Sequence, residues 1–206
     1  NGPIRTTTRA FNTGGRYSFV GTAAQVTGSD LPSTVNRLTV SNASGVTLTG
    51  NVVADTLAFT AGKLITGSKS ITVNGAINSA GSGKFVDGNL ILPVAALGTK
   101  KWEVGQASDY LPLTVFFKSV TGTGNVTSSV LDRTVTPAAG QIPDTGKVLK
   151  QYYRVTKTTG ITAFATDSLT LCYVHADAIA RGLREDTLKV YKFDGATWSK
   201  VTVKSI

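Results

Sequence analysis

The stretch that decides the fold lies between Arg37 and Val73. It reads Arg37-Leu38-Thr39-Val40, Val46-Thr47-Leu48, Asn51-Val52-Val53, Thr56-Leu57-Ala58-Phe59, Lys63-Leu64-Ile65 and Ile71-Thr72-Val73. Alternation inside the pieces, as in Leu38/Val40 and Ile71/Val73, puts one face inward and leaves Thr or Ser on the other, which is the period of a strand. The pieces recur about every seven to ten residues, punctuated by turn dipeptides such as Ser44-Gly45, Asn74-Gly75 and Asp87-Gly88. Rungs this short cannot each enclose a core. Stacked into a β-helix-like ladder, they bury a continuous apolar stripe. The same pieces also fit the separate hairpins of a sandwich.

Working outward, the pattern extends from Tyr17 to Val94 and includes Asn89-Leu90-Ile91-Leu92, which gives a ladder domain over residues 17–98. Residues 1–16 form a polar, threonine-rich arm in which Ile4 and Phe11 are the obvious apolar side chains. Such an arm is either a frayed terminus or a strand that pairs with a neighbouring subunit through Ile4 and Phe11. Over residues 99–206 the strands become longer and aromatic-rich. They are Lys101-Trp102-Glu103-Val104 and the runs 111–120, 149–157, 168–175, 187–193 and 197–203. Asp194-Gly195 marks a hairpin between the last two. Six strands at this spacing predict an immunoglobulin-like β-sandwich. Residues 176–183 are the one helical-looking stretch, at most two turns, and read as a loop. The fold expected is therefore all-β, a short-rung ladder followed by a sandwich.

Composition agrees with that class. Of 206 residues, 41% are hydrophobic and only 16% charged, with Thr, Ser, Gly, Val and Asn filling the gap. β-Branched residues suit a pleated surface, and Gly and Asn accept turn geometry. No apolar run is long enough to span a bilayer as a helix. There is no methionine, even at position 1, which reads as a processed product or part of a longer chain; removal of a secretion signal would account for it. The net charge of +9 is spread over both halves without a dense Lys/Arg run. A nucleic-acid binder concentrates charge on one face, so nucleic acid is not an expected partner, whereas acidic polysaccharide or an anionic envelope is compatible.

Residues able to do chemistry are scarce. His175 is the only histidine and Cys172 the only cysteine, which removes metal sites built on two histidines and any internal disulfide. Cys172 lies in the apolar run Leu169 to Val174 and is expected as a small core residue; His175 is expected at a strand end. No Gly-x-Ser-x-Gly elbow presents a nucleophile. The ladder half holds only Asp30, Asp55 and Asp87, far apart for the paired acids of glycoside cleavage. Gly81-Ser82-Gly83-Lys84 lacks the upstream glycine of a phosphate loop and reads as a turn. Calcium-loop aspartate spacing is missing. Asn42-Ala43-Ser44 and Asn125-Val126-Thr127 match the glycosylation triplet. No catalytic, metal or cofactor site is expected.

The ladder from Asn36 to Val73 resembles solenoid-like segments of large secreted surface proteins of Bacteroidota and related phyla. The second half resembles the module that often follows them, through Trp102-Glu103-Val104-Gly105, Tyr110-Leu111-Pro112-Leu113, Tyr152-Tyr153-Arg154-Val155, the strand Leu169 to Val174, and Tyr191-Lys192-Phe193-Asp194-Gly195 leading to Trp198. The resemblance implies a repetitive envelope or adhesion component. The expected function is a non-catalytic extracellular subunit, secreted or at the cell surface, that assembles with itself into a filament or surface layer. The rival expectation is an adhesin module binding carbohydrate or a surface through Trp102, Tyr110, Tyr152 and Trp198.

Overall fold

The computed structural model describes residues 11–132 and 148–202. Its first strands are β1 (Arg16–Val20), β2 (Gln25–Val26), β3 (Thr34–Ser41), β4 (Val46–Thr47), β5 (Val52–Ala61), β6 (Leu64–Asn78) and β7 (Val86–Val94). There follow β8 (Gly98–Trp102), β9 (Val104–Gln106), β10 (Asp109–Tyr110), β11 (Leu113–Gly122), β12 (Gly124–Asp132), β13 (Gln151–Lys157) and β14 (Ile161–Leu171). Helix α1 (His175–Ala180), a 3-10 turn at Glu185–Thr187 and the hairpin strands β15 (Val190–Phe193) and β16 (Trp198–Val201) complete the described chain. It is all-β, with coils stacked as in a β-solenoid.

Parallel register defines the coils. Tyr17 pairs Leu38, Leu38 pairs Leu57, and Leu57 pairs Ile77, making one ladder. A second ladder joins Gln25, Val46, Leu64, Val86 and Val104. A third joins Thr34 to Val53, Val52 to Ile71, and Ile71 to Leu90. Partner positions 25, 46, 64, 86 and 104 are 18 to 22 residues apart, so one coil takes two or three of the sequence rungs. Side chains from all three ladders meet inside. Leu38, Val40, Val46, Leu57, Leu64 and Ile71 are wholly buried, as are Val73, Val86, Leu90 and Val94. Like sits over like, Leu57 over Leu38 and Leu90 over Ile71, so each new coil extends an existing apolar column.

The corners explain why strands are longer than the sequence rungs. β5 and β6 hold 10 and 15 residues and bend while staying hydrogen-bonded, with register shifts at Ala54/Thr56 and Ile65/Ser70. Asn74-Gly75 and Asp87-Gly88, expected as turns between rungs, instead lie within β6 and β7. Their glycines serve close stacking. A Cβ on Gly75 would lie 2.6 Å from the Asp55 carbonyl, and one on Gly88 2.1 Å from Thr66 Oγ1. Ser44-Gly45 is a true turn, closed by Gly45 N–H donating to Asn42 O at 2.9 Å. Gly81-Ser82-Gly83-Lys84 is a tight turn as expected, with reciprocal Gly81–Lys84 backbone bonds of 2.8 and 2.9 Å.

The ladder's sheet continues past Gly98. β9 adds to it in parallel, and β10 then pairs β9 antiparallel. β12 runs antiparallel to β7, and β13 lies beside β12. The strands expected to form an immunoglobulin-like sandwich are thus distributed. β9, β12 and β13 join the ladder sheet, β14-β11-β8 forms a three-stranded sheet, and β15-β16 forms a hairpin. Trp102 ties the three-stranded sheet to the ladder: wholly buried, it donates Nε1–H to Val126 O at 3.0 Å and meets Phe117 edge-on. Ser128 and Ser129, neighbours on β12, are both buried, so this strand is covered on both faces.

The described chain divides into two compact units, residues 11–130 with 153–172, and 131–132 and 148–152 with 173–202. In the second, α1 forms where a loop was expected. Its alanines favour helix, and Gly182, at φ +64°, ends it. Leu183 N–H reaches Ala178 O and Gly182 N–H reaches Ile179 O, each at 2.9 Å, a Schellman closure.

One glycine tests the stacking. Gly62 has φ +76°, and a Cβ there would sit 1.7 Å from Asn42 O in the coil below. Gly62→Ala should cost at least about 2 kcal/mol, combining left-handed strain with a backbone clash. Gly50→Ala, where a Cβ meets nothing within 4 Å, should stay within about 0.5 kcal/mol. Urea unfolding of both variants measures the difference.

Candidate interaction surface

The groups with chemical potential are mostly engaged in structure. Asp55 Oδ2 accepts from Asn36 Nδ2 at 3.3 Å, and Arg16 Nε donates to Asn36 Oδ1 at 3.3 Å, so a polar line climbs one corner of three coils. Asp87 pairs with Lys63 at 3.1 Å on another ladder. Asn42, from the first glycosylation triplet, is wholly buried. Its amide donates to Ala23 O at 2.6 Å and Gln25 Oε1 at 2.9 Å, and its Oδ1 accepts from Ser44 N–H at 2.9 Å. That side chain is a corner clamp with no access for a glycan. Asn125 lies in β12. Among the described residues no group of three or more His, Cys, Asp or Glu could hold a metal ion. No helix there is long and apolar enough to cross a membrane.

Cys172 and His175 depart from expectation. Cys172 follows β14 and is half-buried rather than a core residue. The hydroxyl of Tyr153 takes both of its backbone groups, accepting from Cys172 N–H at 3.0 Å and donating to Cys172 O at 2.8 Å. Burial pushes the Tyr153 phenol up, so it stays a neutral donor. His175 begins α1 instead of ending a strand, because the helix starts there. It is exposed, and its Nδ1 meets Glu185 Oε1 at 2.5 Å, where the Tyr173 hydroxyl also arrives at 2.5 Å. Those two contacts, Tyr173 first, hold the Glu185 carboxyl below its ordinary value.

The aromatic platform does not gather. Trp102 is core. Tyr110 donates to Glu103, accepts from Lys101 Nζ at 2.9 Å, and stacks near Phe85. Trp198 is half-buried against Phe193, ring centroids 5.0 Å apart, in the β15–β16 hairpin; Tyr152 is half-buried at the start of β13. Asp194-Gly195 forms the predicted turn of that hairpin. Asp194 Oδ1 accepts from Thr197 N–H at 2.8 Å and Ala196 N–H at 2.9 Å, and Gly195 has φ +106°.

What remains open is backbone edge. At the first coil β1 pairs only β3 and β2 only β4, so one side of each has no partner among the described residues. Val20 and Val26 are 67% and 63% exposed there. Phe11, named as a subunit contact, is exposed beside this edge, its ring 5.8 Å from Tyr17 in an edge contact. Ile4, its expected companion, lies outside the described residues.

A further open edge is β14, which pairs β11 alone among the described residues; the other end strands, β8 and β13, carry Lys100 and Lys101, and Arg154 and Lys157. Its residues 162–170 are exposed throughout. Phe164 and Leu169 are 48% and 50% exposed although both continue a buried face: Phe164 packs edge-on to buried Phe117 at 5.8 Å, and Leu169 is in register with buried Val115. Sequence reading took only the end of this strand and missed its first half; the alternation Ile161-Thr162-Ala163-Phe164 was the available signal. No family model, curated protein or solved structure matches the chain.

The Asp194 turn gives a pH test. The backbone N–H groups of Thr197 and Ala196, then the Thr197 hydroxyl, lower its carboxyl to about 2. A depressed carboxylate stabilises the fold above its unfolded value, and that contribution disappears as pH falls through the folded one. The hairpin should therefore loosen between about pH 4 and 2. The Trp198 indole resonance should report this step by NMR, and Asp194→Ala should loosen the hairpin at neutral pH and flatten the step.

Proposed function

We propose that the chain is a non-catalytic structural subunit, acting outside the cell or at its surface, that assembles with other copies of itself into a filament or layer. The observation that carries this reading is that β1/β2 and β14, within one compact unit, each have no strand partner on one side among the described residues. An unpaired edge exposes N–H and C=O groups that another chain can satisfy. The threonine-rich arm, with Ile4 and Phe11 as its apolar anchors, is a segment suited to strand addition. A contact between an arm and a different edge on the next copy is head-to-tail, and such contacts propagate. Trp102 Nε1–H to Val126 O, and the Tyr153 hydroxyl to Cys172 O, tie the three-stranded sheet to the ladder sheet and give the subunit a firm body from which its edges project. The partners in this reading are further copies, with no role for nucleic acid or cofactor.

The second reading is an adhesin module for acidic polysaccharide or an anionic envelope. Half-exposed Phe193 and Trp198, with Lys192 and Lys200 on the same hairpin, favour it. The net charge of +9 adds long-range attraction.

Analytical sedimentation with electron microscopy separates them. The intact chain should form concentration-dependent polymers, and deletion of residues 1–10 should leave folded monomers. A chain that stays monomeric at every concentration overturns the assembly reading; assembly unchanged by the deletion removes the arm from it.

A further inference from the structure

We infer that the open edge of β14 is the acceptor for residues 4–10 of a second copy, which add to it as a strand. The inference rests on the self-assembly reading and names the site that reading requires. Three observations support the acceptor. Among the described residues β14 is long, hydrogen-bonded on one side only and uncovered over residues 162–170. Its half-exposed Phe164 and Leu169 prolong an apolar face that is covered over Val115 and Phe117 and ends abruptly at the edge strand. An added strand would bring side chains onto that unfinished face as well as closing the backbone edge.

Sequence and charge name the occupant. In extended conformation Ile4, Thr6, Thr8 and Ala10 share one face, and Arg5, Thr7 and Arg9 the other. The first set is small or apolar, fit to lie beside Phe164 and Leu169. The second carries two positive charges and no negative one. β14 carries the opposite balance: no Lys or Arg, and Asp167, which makes no hydrogen bond or ion pair among the described residues and sits where the register with β11 shifts.

Reach favours a second copy over the chain's own segment. Phe11 is fixed at β1 by Tyr17. The β14 sheet meets the ladder at β12, through Trp102 and through Gly124, which packs against Gly160 and Ile161. From β1 to β12 the sheet order takes five steps, about 24 Å at the usual strand spacing. Residues 4–10 span at most about 24 Å when fully extended. Within one chain they would be used up in arriving. From a second copy they can lie along the edge.

The test is a charge exchange in the full-length chain, read by sedimentation with circular dichroism to confirm folding. Asp167 is exposed and has no partner among the described residues, so Asp167→Lys should fold normally and weaken assembly by roughly fivefold or more through repulsion of Arg5 and Arg9. Arg5→Asp with Arg9→Asp should weaken it similarly, and all three together should restore it. Phe164→Lys should also weaken it. A second measurement pairs Thr6→Cys with Ala165→Cys in a Cys172→Ser background, where oxidation should give covalent dimers and longer ladders. Monomers cross-linked within one chain would overturn the inference. So would assembly indifferent to Asp167→Lys and Phe164→Lys yet lost on deleting residues 1–10, which leaves the self-assembly reading standing with another acceptor. A chain monomeric under every condition overturns both.

Discussion

Parallel stacking of coils on a common apolar column is the constraint from which the rest follows. A parallel ladder holds only if each coil returns its chain to the same place, one strand spacing further on. The inward aliphatics do this by repetition, Leu38 beneath Leu57 and Ile71 beneath Leu90. The corners do it by close approach of backbone to backbone. Gly62 lies on Asn42, Gly75 on Asp55 and Gly88 on Thr66, so tightly that no side chain fits. Polar corner residues then satisfy groups that the bends leave unpaired: Asn42 holds Ala23, Gln25 and Ser44, and Thr66 Oγ1 accepts from Asn89 N–H at 2.8 Å. A buried polar group without such partners costs about 1–3 kcal/mol, so these residues are as restricted as the core.

A parallel stack also creates an end problem. Each terminal coil offers a row of backbone groups to the next, and a copy of the same fold is the natural continuation. This chain treats its ends differently. After β9, the chain turns back as β10, and β12 comes in against β7, both antiparallel. A reversed strand cannot serve as the first strand of another identical coil, so stacking stops there. β12 is covered on both faces, which explains small Ser128 and Ser129 at consecutive buried positions. At the first coil no reversal occurs among the described residues.

These two features account for what the sequence made legible. Alternation in the rungs from Arg37 to Val73 gave the ladder, since one face is buried and the other wet. Strand length was not legible: a strand that bends through Asn74-Gly75 looks, residue by residue, like two strands and a turn. β12 was missed because serines occupy its inner positions, and the start of β14 because its apolar alternation, Ile161-Thr162-Ala163-Phe164, is short and gives way to Ala165-Thr166-Asp167-Ser168. The helix was legible only through its stop. Ala176 to Ala180 followed by Gly182 meets the requirement for a Schellman end, yet six residues lie below the length at which periodicity speaks. The Asp194-Gly195 hairpin was read correctly because its turn chemistry is local. Of the proposed contact residues, Phe11 could be placed by its ring against Tyr17, whereas Phe164 and Leu169 carry meaning only once β14 is known to be an edge.

The charge along the two late strands sharpens that last point. Natural sheets protect an open edge with Lys, Arg or Pro, because a charged edge repels a second strand. β13 lies at the end of the ladder sheet and has this protection, with Arg154 and Lys157 both exposed in a seven-residue strand. β14 has eleven residues, no basic side chain and no proline, and Asp167 is its sole charge. Its irregular register with β11 does not shorten it or cover it. Solubility alone does not explain why β13 is guarded and β14 left long, apolar in part and weakly acidic. The strand addition proposed above would explain it, since the same features that invite pairing would also select a basic partner by charge.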